Sequence, residues 1–425
     1  MSKAPSGDLA AALTAGVVLL VIGVPIVLYL VVKATAYFVG KSLRSCSKGL
    51  RARLRARLTN EKERVVIIGF FHPYCNAGGG GERVLWKAVE AIQEEYSNVI
   101  SVVYTGDVGS NKEEILSKVS TRFDITLQLD RIEFVYLRKR YLVSAEAWPR
   151  FTLLGQSLGS IPLIYEALST LVPDIYIDTM GYAFTIPVVS MLLDVPTAAY
   201  VHYPTISTDM LSKVPTINFA KRLYWKAFAL LYSIAGNFTD VVMANSTWTA
   251  RHVQSLWWMQ RGKIGTIYPP TDCDSLQTLD VEKERAHVVL CIAQFRPEKK
   301  HEMLIEAMAV LHQEHKMKAK LEFIGSVRDD ADRRRVYELR LLAHEKGLEE
   351  SLSIQCEVSW QEIKQALSKA SVGANAMWNE HFGIGVVEYM AAGLIPVVHS
   401  SGGPKLDIVV PLDGEQTGFC EIFPS

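Results

Sequence analysis

Two carboxylates stand eight positions apart in the C-terminal part of the sequence, at Glu380 and Glu388, with glycines between them. If a helix begins near Gly383, Glu380 lies in the preceding loop and Glu388 in the second turn. The backbone N–H groups of Phe382, Gly383 and Ile384 are then free to bind a phosphate. The pattern predicts a site that holds a phosphate at a helix N-terminus, with Glu380 and Glu388 holding sugar hydroxyls on either side.

A run of four glycines, residues 78–81, follows the first apolar run of the body and opens a predicted helix. Because glycine has no side chain, the backbone can approach a ligand closely, and the helix N-terminus offers N–H groups to anions or hydroxyls. The run is neither G-x-G-x-x-G nor a P-loop. We interpret Gly79, Gly80 and Gly81 as binding positions, and a flexible turn is the alternative.

Basic residues follow a predicted strand later in the chain, between Gln294 and Lys300. Cations at the carboxyl end of a strand can neutralise a diphosphate leaving group, so Arg296 and Lys299 are candidates; a solvated charged face is the alternative. His202 ends another predicted strand. Its place at a carboxyl-end loop favours function over an ordinary hydrogen-bonded histidine.

Metal ligands are sparse in the sequence. Two Asp-x-Asp sequences, residues 272–274 and 330–332, have a spacing that can hold a divalent ion between phosphates. The first stands in a predicted linker and the second at a polar helix start, where aspartate commonly serves in turns and caps. We therefore predict no tightly bound metal and no other cofactor. The six cysteines form no C-x-x-C pair, as is typical of reduced thiols.

The elements that position these residues are predicted from short apolar runs that alternate with amphipathic stretches. Most runs are continuous Val, Ile and Leu, which is typical of parallel strands covered on both faces, and repeated β-α units indicate doubly wound sheets. The predicted strands span residues 65–70, 99–104, 174–178, 197–202, 240–244, 263–268, 287–294, 320–325, 352–355, 371–376 and 395–399. The clearest predicted helices span residues 82–96, 301–315 and 330–346.

A break at residues 268–272, Tyr-Pro-Pro-Thr-Asp, divides this pattern into two halves. We predict Rossmann-like domains at residues 64–268 and 287–425, joined by a linker at residues 269–286. Ligands bind such folds at the carboxyl ends of the strands, so the candidate residues of both halves are expected to face one cleft.

The N-terminus is strongly apolar, with 24 uncharged residues at positions 9–32. As a helix this run reaches about 36 Å, longer than the roughly 30 Å hydrocarbon core of a bilayer. It is too long for a signal-peptide core, so residues 1–40 are predicted to hold a retained transmembrane anchor rather than a cleaved signal peptide.

Charge is unevenly distributed, although the chain has 45 basic and 45 acidic residues. Residues 1–64 carry 11 basic and 3 acidic side chains, which leaves 34 and 42 for the rest. Of the 11 basic residues, only Lys3 precedes the apolar run, and the other ten follow it. The positive-inside rule therefore predicts a cytosolic body. The basic collar at residues 41–63 is expected to lie against anionic headgroups. The neutral total argues against a nucleic-acid binder.

Two further features concern the membrane. Residues 211–235 are apolar and basic, and basic residues 138–140 precede another apolar stretch. Such segments suit a helix lying on a bilayer or a core helix with a solvated edge, and the pattern does not separate the two. Glycosylation sequons begin at Asn237 and Asn245, and both are expected to stay bare in a cytosolic body.

The segment from Glu380 to Glu388 resembles the E-x7-E motif of the family-four retaining glycosyltransferases, and the resemblance covers nearly the whole body. It implies the GT-B fold: two Rossmann-like doubly wound domains facing a cleft, here with one N-terminal transmembrane helix. The other segments that resemble family elements are the glycine loop, the histidine segment, the Asn-Ser turn, the P-E-K element and the late glycine loop, at residues 79–82, 200–204, 244–247, 297–299 and 402–404.

The resemblance also implies roles for the residues of the C-terminal half. Lys299, with Arg296 as a helper, binds the donor diphosphate. Glu388 holds the ribose, and Glu380 holds the transferred hexose. The sequence departs from the family at Gln294, where arginine is usual, and Arg296 is expected to compensate.

In the N-terminal half, the resemblance implies that Gly80 and Gly81 approach the diphosphate or the sugar. His202 lines the hexose pocket. A second departure is Lys300, at a position where the family usually has glycine, so the phosphate clamp is expected to differ in detail.

The anchor, residues 295–301 and residues 403–409 more specifically resemble the endoplasmic-reticulum α-1,2-mannosyltransferases that extend the dolichol-linked oligosaccharide on its cytosolic face. The implied reaction moves mannose from GDP-mannose to a dolichyl-diphosphate-linked oligosaccharide with retention, in N-glycan precursor assembly. Front-face attack through an oxocarbenium-like ion pair is the favoured mechanism. The implied partners are these substrates, the lipid bilayer and other mannosyltransferases of the pathway.

Two alternatives stay open at this point. One is another polyprenol-linked glycosyltransferase with a different donor or linkage, since the residues expected around the base, Ser326 and 357–360, do not distinguish guanine from uracil. After Gly418 only seven residues follow, whereas family members usually continue with further helices. A shortened or altered C-terminus is therefore expected, and a catalytically inactive membrane-bound interaction protein is the second alternative.

Overall fold

The computed structural model describes residues 23–58, 64–206, 219–327 and 329–422. Within these ranges the chain forms two parallel β-sheets with helices between successive strands. The predicted fold class, two doubly wound Rossmann-like domains, is confirmed.

The sheet of the N-terminal domain has seven strands in the described part, in the order β3-β2-β1-β4-β5-β6-β7. They are β1 (Val66–Phe71), β2 (Val99–Thr105), β3 (Ile132–Tyr136), β4 (Ile175–Asp178), β5 (Thr197–Val201), β6 (Val241–Ala244) and β7 (Ile264–Thr266). The helices are α1 (Val24–Ala56), α2 (Gly80–Glu95), α3 (Lys112–Phe123), α4 (Thr152–Thr170), α5 (Thr185–Leu193), α6 (Phe219–Gly236) and α7 (Thr247–Leu256).

The sheet of the C-terminal domain has six described strands, in the order β10-β9-β8-β11-β12-β13. They are β8 (Ala286–Ile292), β9 (Lys320–Gly325), β10 (Leu352–Cys356), β11 (Ala370–Asn375), β12 (Ile395–His399) and β13 (Phe419–Glu421). The helices are α8 (Cys273–Gln277), α9 (His301–Gln313), α10 (Asp330–Glu345), α11 (Trp360–Lys369) and α12 (Ile384–Ala391).

Each sheet separates two apolar clusters, which explains why the strands are continuous apolar runs. In β1, Ile67 and Phe71 pack into one cluster, and Ile68 and Phe70 into another. All eleven predicted strands are present, with ends within two residues of the prediction. The sequence did not predict β3 and β13, because both are short edge strands that mix polar and apolar residues.

Helix α1 continues without interruption from the apolar segment onto the N-terminal domain. Residues 26–56 form the one helix in the described part that is long and apolar enough to cross a membrane, by length and composition. Residues 9–22 of the predicted anchor lie outside the described part. The buried or half-buried positions on α1 recur every three or four residues, which is the spacing of one helix face, at Ala36, Gly40, Leu43, Ser47, Leu50 and Leu54.

Four arginines of the basic collar contact the body of the protein. Arg51 donates to Asp174 at 2.6 Å, and Arg55 donates to the same carboxylate at 3.1 Å. Arg44 donates to a carbonyl at the end of α5, and Arg57 pairs with Glu133. These four side chains are therefore engaged by the body, and contact of the collar with headgroups stays a prediction. Burying the amphipathic face of α1 placed its cations against the body.

Helix α6 combines the two alternatives that the sequence left open. Phe228 and Tyr232 are buried in the core, whereas Phe219, Leu223 and Leu230 are largely exposed. The helix is thus a core helix with a second, outward-facing apolar side. The preceding positions 211–218 lie outside the described residues.

Candidate active site

The cleft lies between the carboxyl ends of the two sheets and has a volume of about 430 Å³. Its C-terminal wall is formed by the loop after β8, the turn after β9 and the start of α12. Its N-terminal wall is formed by the glycine run and the first turn of α2. The cleft brings together all but one of the candidate residues, namely Gly79, Gly80, Gly81, His202, Lys299, Glu380, Phe382, Gly383, Ile384 and Glu388.

Helix α12 begins where the sequence predicted. Gly383 is its N-cap and has φ of +104°, a conformation that a side chain would strain. Glu380 lies in the loop before the helix, and Glu388 lies in its second turn. The short helix therefore directs its N-terminal N–H groups into the cleft between the two carboxylates.

Glu380 is held by groups of its own domain. Lys299 Nζ donates to its Oε2, and Asn375 Nδ2 donates to the same oxygen at 3.2 Å. Burial acts to raise the pKa of Glu380, but Lys299 and Asn375 outweigh it and hold the pKa below its usual range. Glu380 is therefore a firmly ionised, oriented acceptor.

Glu388 depends on the opposite domain. Arg83 Nη1, from the first turn of α2, donates to Glu388 Oε1 at 3.0 Å, and both side chains are buried. Burial raises the pKa of Glu388 to about 7, and Arg83 opposes this shift only in part. The two motif carboxylates therefore differ in protonation near neutral pH.

The glycine run lets the two domains come close together. A Cβ on Gly80 would lie 3.0 Å from Cδ1 of Ile384, the first residue of α12, so the glycine allows the two domains to make close contact here. Glu82 accepts from the N–H of Gly79 and lies 3.4 Å from His72 Nε2. This capping interaction fixes the loop against the end of β1.

His202 lies at the end of β5, facing the glycine run. Its Nε2 is 3.1 Å from the carbonyl oxygen of Thr179, and a Cβ on Gly81 would lie 3.6 Å from that nitrogen. The Thr179 hydroxyl is 2.8 Å from His72 Nδ1, which links both histidines to one turn. Burial lowers the pKa of His202 to about 4, so the imidazole is neutral at physiological pH.

Arg296 is the one candidate outside the cleft lining. Its guanidinium pairs with Glu298 at 3.6 Å, while the neighbouring Gln294 and Lys299 face the cleft. Its role as a helper in diphosphate binding stays a prediction.

Sequence reasoning missed the residues that join the domains. Arg83 was visible only as the residue after the glycine run and Glu82, and nothing local indicates its partner. His381 stacks on Tyr203, with ring centroids 4.1 Å apart. Asp407 accepts from the N–H of Thr247 at 2.9 Å. Each contact joins residues more than 150 positions apart in the chain.

The Asp-x-Asp sequences form local turns and caps. Asp272 accepts from Ser275, and Asp329, next to the second sequence, caps α10 by accepting from the N–H of Asp332. Among the described residues, no three His, Cys, Asp or Glu side chains converge as metal ligands would.

The fold and the cleft define a class of protein, the two-domain GT-B glycosyltransferases. The solved structure of sucrose-phosphate synthase from Thermosynechococcus elongatus superimposes with a TM-score of 0.57 at 17% identity, covering 81% of this chain and 84% of that one. The Anabaena protein HepE, solved with UDP and glucose, gives a TM-score of 0.54 at 15% identity over 84% and 86% of the two chains. At such identities the similarity establishes the fold alone.

Sequence comparison identifies the family within this class. The family model "ALG11 mannosyltransferase N-terminus" matches residues 65–257, and "Glycosyl transferases group 1" matches residues 280–423. Proteins named GDP-Man:Man(3)GlcNAc(2)-PP-Dol alpha-1,2-mannosyltransferase are 50% identical in Neurospora crassa and 46% identical in Homo sapiens. The alignments cover 83% of this chain and 70% and 76% of those proteins. The chain belongs to this family of α-1,2-mannosyltransferases, and the predicted family resemblance is confirmed.

Proposed function

We propose that this protein transfers mannose from GDP-mannose to a dolichyl-diphosphate-linked oligosaccharide through an α-1,2 linkage, as its relatives are named for doing. We further propose that the transfer proceeds with retention. The observation that carries the proposal is the pair of motif carboxylates on either side of the α12 N-terminus, inside a cleft that the glycine run closes.

We assign each part of GDP-mannose to a position along the cleft. The diphosphate lies at the N-terminus of α12, where free N–H groups and the Lys299 ammonium balance its charge. The mannose lies beside Glu380 and His202, and the ribose beside Glu388. The protein thus binds the leaving group with charge and the two sugars with hydrogen bonds.

The chemistry proceeds by front-face attack in this assignment. The cleft-lining acids at the proposed sugar ends are already engaged, Glu380 by Lys299 and Glu388 by Arg83. The departing diphosphate takes the proton of the acceptor hydroxyl while the mannose passes through an oxocarbenium-like ion pair. Positioning and electrostatic stabilisation then supply the rate enhancement. A trapped mannosyl–enzyme adduct would contradict this mechanism.

We propose that no tightly bound metal takes part. Lys299 and the helix N-terminus supply the positive potential that a metal supplies elsewhere. Transfer is expected to persist in a chelator. Complete loss that Mn²⁺ restores would overturn this proposal.

The lipid-linked acceptor requires that the cleft work beside a bilayer. Leu223 and Leu230 on α6 are 57% and 60% exposed, and Tyr224 of the same helix contacts Phe151 beside α4. We propose that this side of the N-terminal domain lies on the membrane that α1 enters. Replacing Leu223 and Leu230 by serine should slow transfer to acceptor in vesicles but not to acceptor in detergent. The matched control is Leu341→Ser on α10, which removes an exposed leucine from the other domain.

We propose an endoplasmic-reticulum location with a lumenal N-terminus and a cytosolic body. The native sequons at Asn237 and Asn245 are expected to stay bare in a cytosolic body, but a bare sequon alone does not establish the topology. A sequon added ahead of residue 9 gives the test. Glycosylation of this added sequon in microsomes supports the proposal. An unglycosylated sequon, together with an N-terminal tag that added protease digests in intact microsomes, contradicts it.

The decisive experiment supplies purified full-length chain with GDP-mannose and the lipid-linked acceptor that the relatives' name specifies. The expected product gains mannose that an α-1,2-specific mannosidase removes. Transfer from a uridine donor would favour another polyprenol-linked glycosyltransferase. Neither transfer nor GDP binding would favour an inactive interaction protein.

A further inference from the structure

Arg83 is the only arginine or lysine in the described residues whose side chain pairs with Glu388, and it comes from the other domain. Its side chain is 8% exposed, and its guanidinium also lies over the ring of Trp360, 5.4 Å from the ring centroid. Its Nε is buried and has no hydrogen-bond partner among the described residues. The counter-charge of Glu388 is therefore supplied by Arg83, a residue outside the E-x7-E motif.

A buried ion pair of this kind exists only while both partners are in place. If the domains separate, Arg83 leaves with α2, and Glu388 stays with α12 without a cation. Glu388 then loses the group that orients it, and where it stays shielded from water it also takes up a proton more readily. The acceptor strength of Glu388 is thus tied to the distance between the domains.

We propose that Arg83 is a positioning residue that makes Glu388 a competent ribose acceptor only when the cleft is closed, and so couples nucleotide binding to domain closure. The inference rests on the proposed function, because that function assigns the ribose to Glu388. Arg83 itself acts through the carboxylate and needs no contact with the transferred sugar.

The other groups around Glu388 make its dependence on Arg83 strong. Asp272, from the segment between the domains, disfavours the charge on Glu388. The Cys273 thiol and the Tyr389 hydroxyl are un-ionised neighbours, since each has a raised pKa, chiefly through burial. No cation other than Arg83 acts on Glu388 among the described groups. Without Arg83, burial and Asp272 both favour the protonated acid.

The test measures GDP binding to the full-length chain by calorimetry, between about pH 5.5 and pH 9, a range that brackets the titration of a carboxyl group with a pKa raised to near neutrality. In the wild type, affinity is expected to fall on the acid side as Glu388 takes up a proton. In Arg83→Met, the midpoint of that fall should move up by about one pH unit, with binding about threefold weaker at neutral pH. Arg83→Lys should restore most of the affinity, because it keeps the charge.

Two controls separate coupling from a general loss of structure. Lys87→Met removes a cation one turn further along α2, where Lys87 pairs with Glu90, and should leave the acid midpoint in place. In a Glu388→Gln background, Arg83→Met should change GDP affinity less than about twofold, because interacting residues are non-additive.

An unmoved midpoint in Arg83→Met, or an equal loss of affinity with and without Glu388, overturns the inference while leaving GDP binding and the proposed function intact. A wild-type chain that binds no GDP overturns both. If Arg83→Met does not fold, Arg83→Gln carries the test, because it also removes the charge, and the same upward shift of the midpoint is expected.

Discussion

The two ends of the cleft use the same kind of residue in opposite ways. At the proposed hexose end, Glu380 is held by Lys299 and Asn375 from its own domain, and its pKa lies below the usual range. At the proposed ribose end, Glu388 is held by Arg83 from the other domain, and burial raises its pKa to about 7. Two carboxylates eight residues apart thus differ in which domain supplies the counter-charge.

We call the Glu380 end preassembled, because its contacts lie within one domain, and the Glu388 end conditional, because its contact joins two domains. The contacts that hold Glu380 lie within one folded domain, so they do not require the cleft to close. The contact that holds Glu388 joins the two domains, so it requires them to meet. Such an arrangement links domain closure to the presence of a nucleotide, because a ligand shifts a conformational equilibrium only by binding one state more strongly.

The largest expected effect is on the preassembled end. Glu380→Gln removes the charge that Lys299 balances and the acceptor for the mannose hydroxyls, so kcat should fall about 10²- to 10³-fold. GDP contains no hexose, so its affinity should change little. Single-turnover transfer and GDP calorimetry give the two readouts. A large loss of GDP affinity would show that the two ends are not independent.

A smaller effect is expected at the conditional end. Glu388→Gln should weaken GDP binding about tenfold at pH 8, where the wild-type carboxylate is ionised. In the wild type, the pKa of about 7 means that the charge is present above neutrality and is lost as the pH falls through that value. Affinity should therefore decline towards acid in the wild type and stay flat in Glu388→Gln. A flat wild-type profile would contradict the assignment.

Replacing His202 tests whether the N-terminal domain also contributes to the proposed hexose end. It belongs to the N-terminal domain, yet it faces the glycine run opposite Glu380. His202→Asn should lower kcat/KM for GDP-mannose by up to about tenfold, the cost of one neutral hydrogen bond. Because burial lowers the pKa of His202 to about 4, the ratio of variant to wild-type rates should not vary between pH 6 and pH 8. A pH-dependent ratio would show that the imidazole titrates during turnover.

The smallest effect on transfer is expected far from the cleft, where α1 joins the body. Asp174→Asn weakens the contacts with Arg51 and Arg55 and should cost about 2 kcal/mol of unfolding free energy at neutral pH. Although burial opposes it, Arg51 lowers the pKa of Asp174, so this stability is present above the unfolded-state pKa and is lost as the pH falls through the lower folded-state value.

Thermal melts of the Asp174 variant and the wild type should therefore converge towards acid, with transfer in detergent nearly unchanged. Asp330→Asn, at an exposed surface position, is the matched control. A loss of transfer as large as that of the cleft variants would indicate that the seating of α1 controls the cleft.

The parts of the fold and site that follow from neighbouring residues were predictable. Continuous apolar runs predicted eleven strands, because strands buried on both faces need no polar alternation. The spacing of Glu380, Gly383 and Glu388 predicted a loop acid, a helix start and a helical acid, since helix geometry relates positions only a few residues apart. The family resemblance then predicted which part of the donor each residue faces, and those roles stay predictions.

The tertiary structure determined which partner each buried charged side chain has. From the sequence, the basic residues after the anchor are predicted to contact lipid headgroups. In the structure, Arg51 and Arg55 donate to Asp174, which lies more than 110 positions further along the chain. Arg83 and Glu388 are 305 positions apart, and only the packing of two complete domains brings them to 3.0 Å. Local sequence determines conformation and which side of an element is apolar. The partner of a buried charge depends on how separate elements come together, which no short-range pattern encodes.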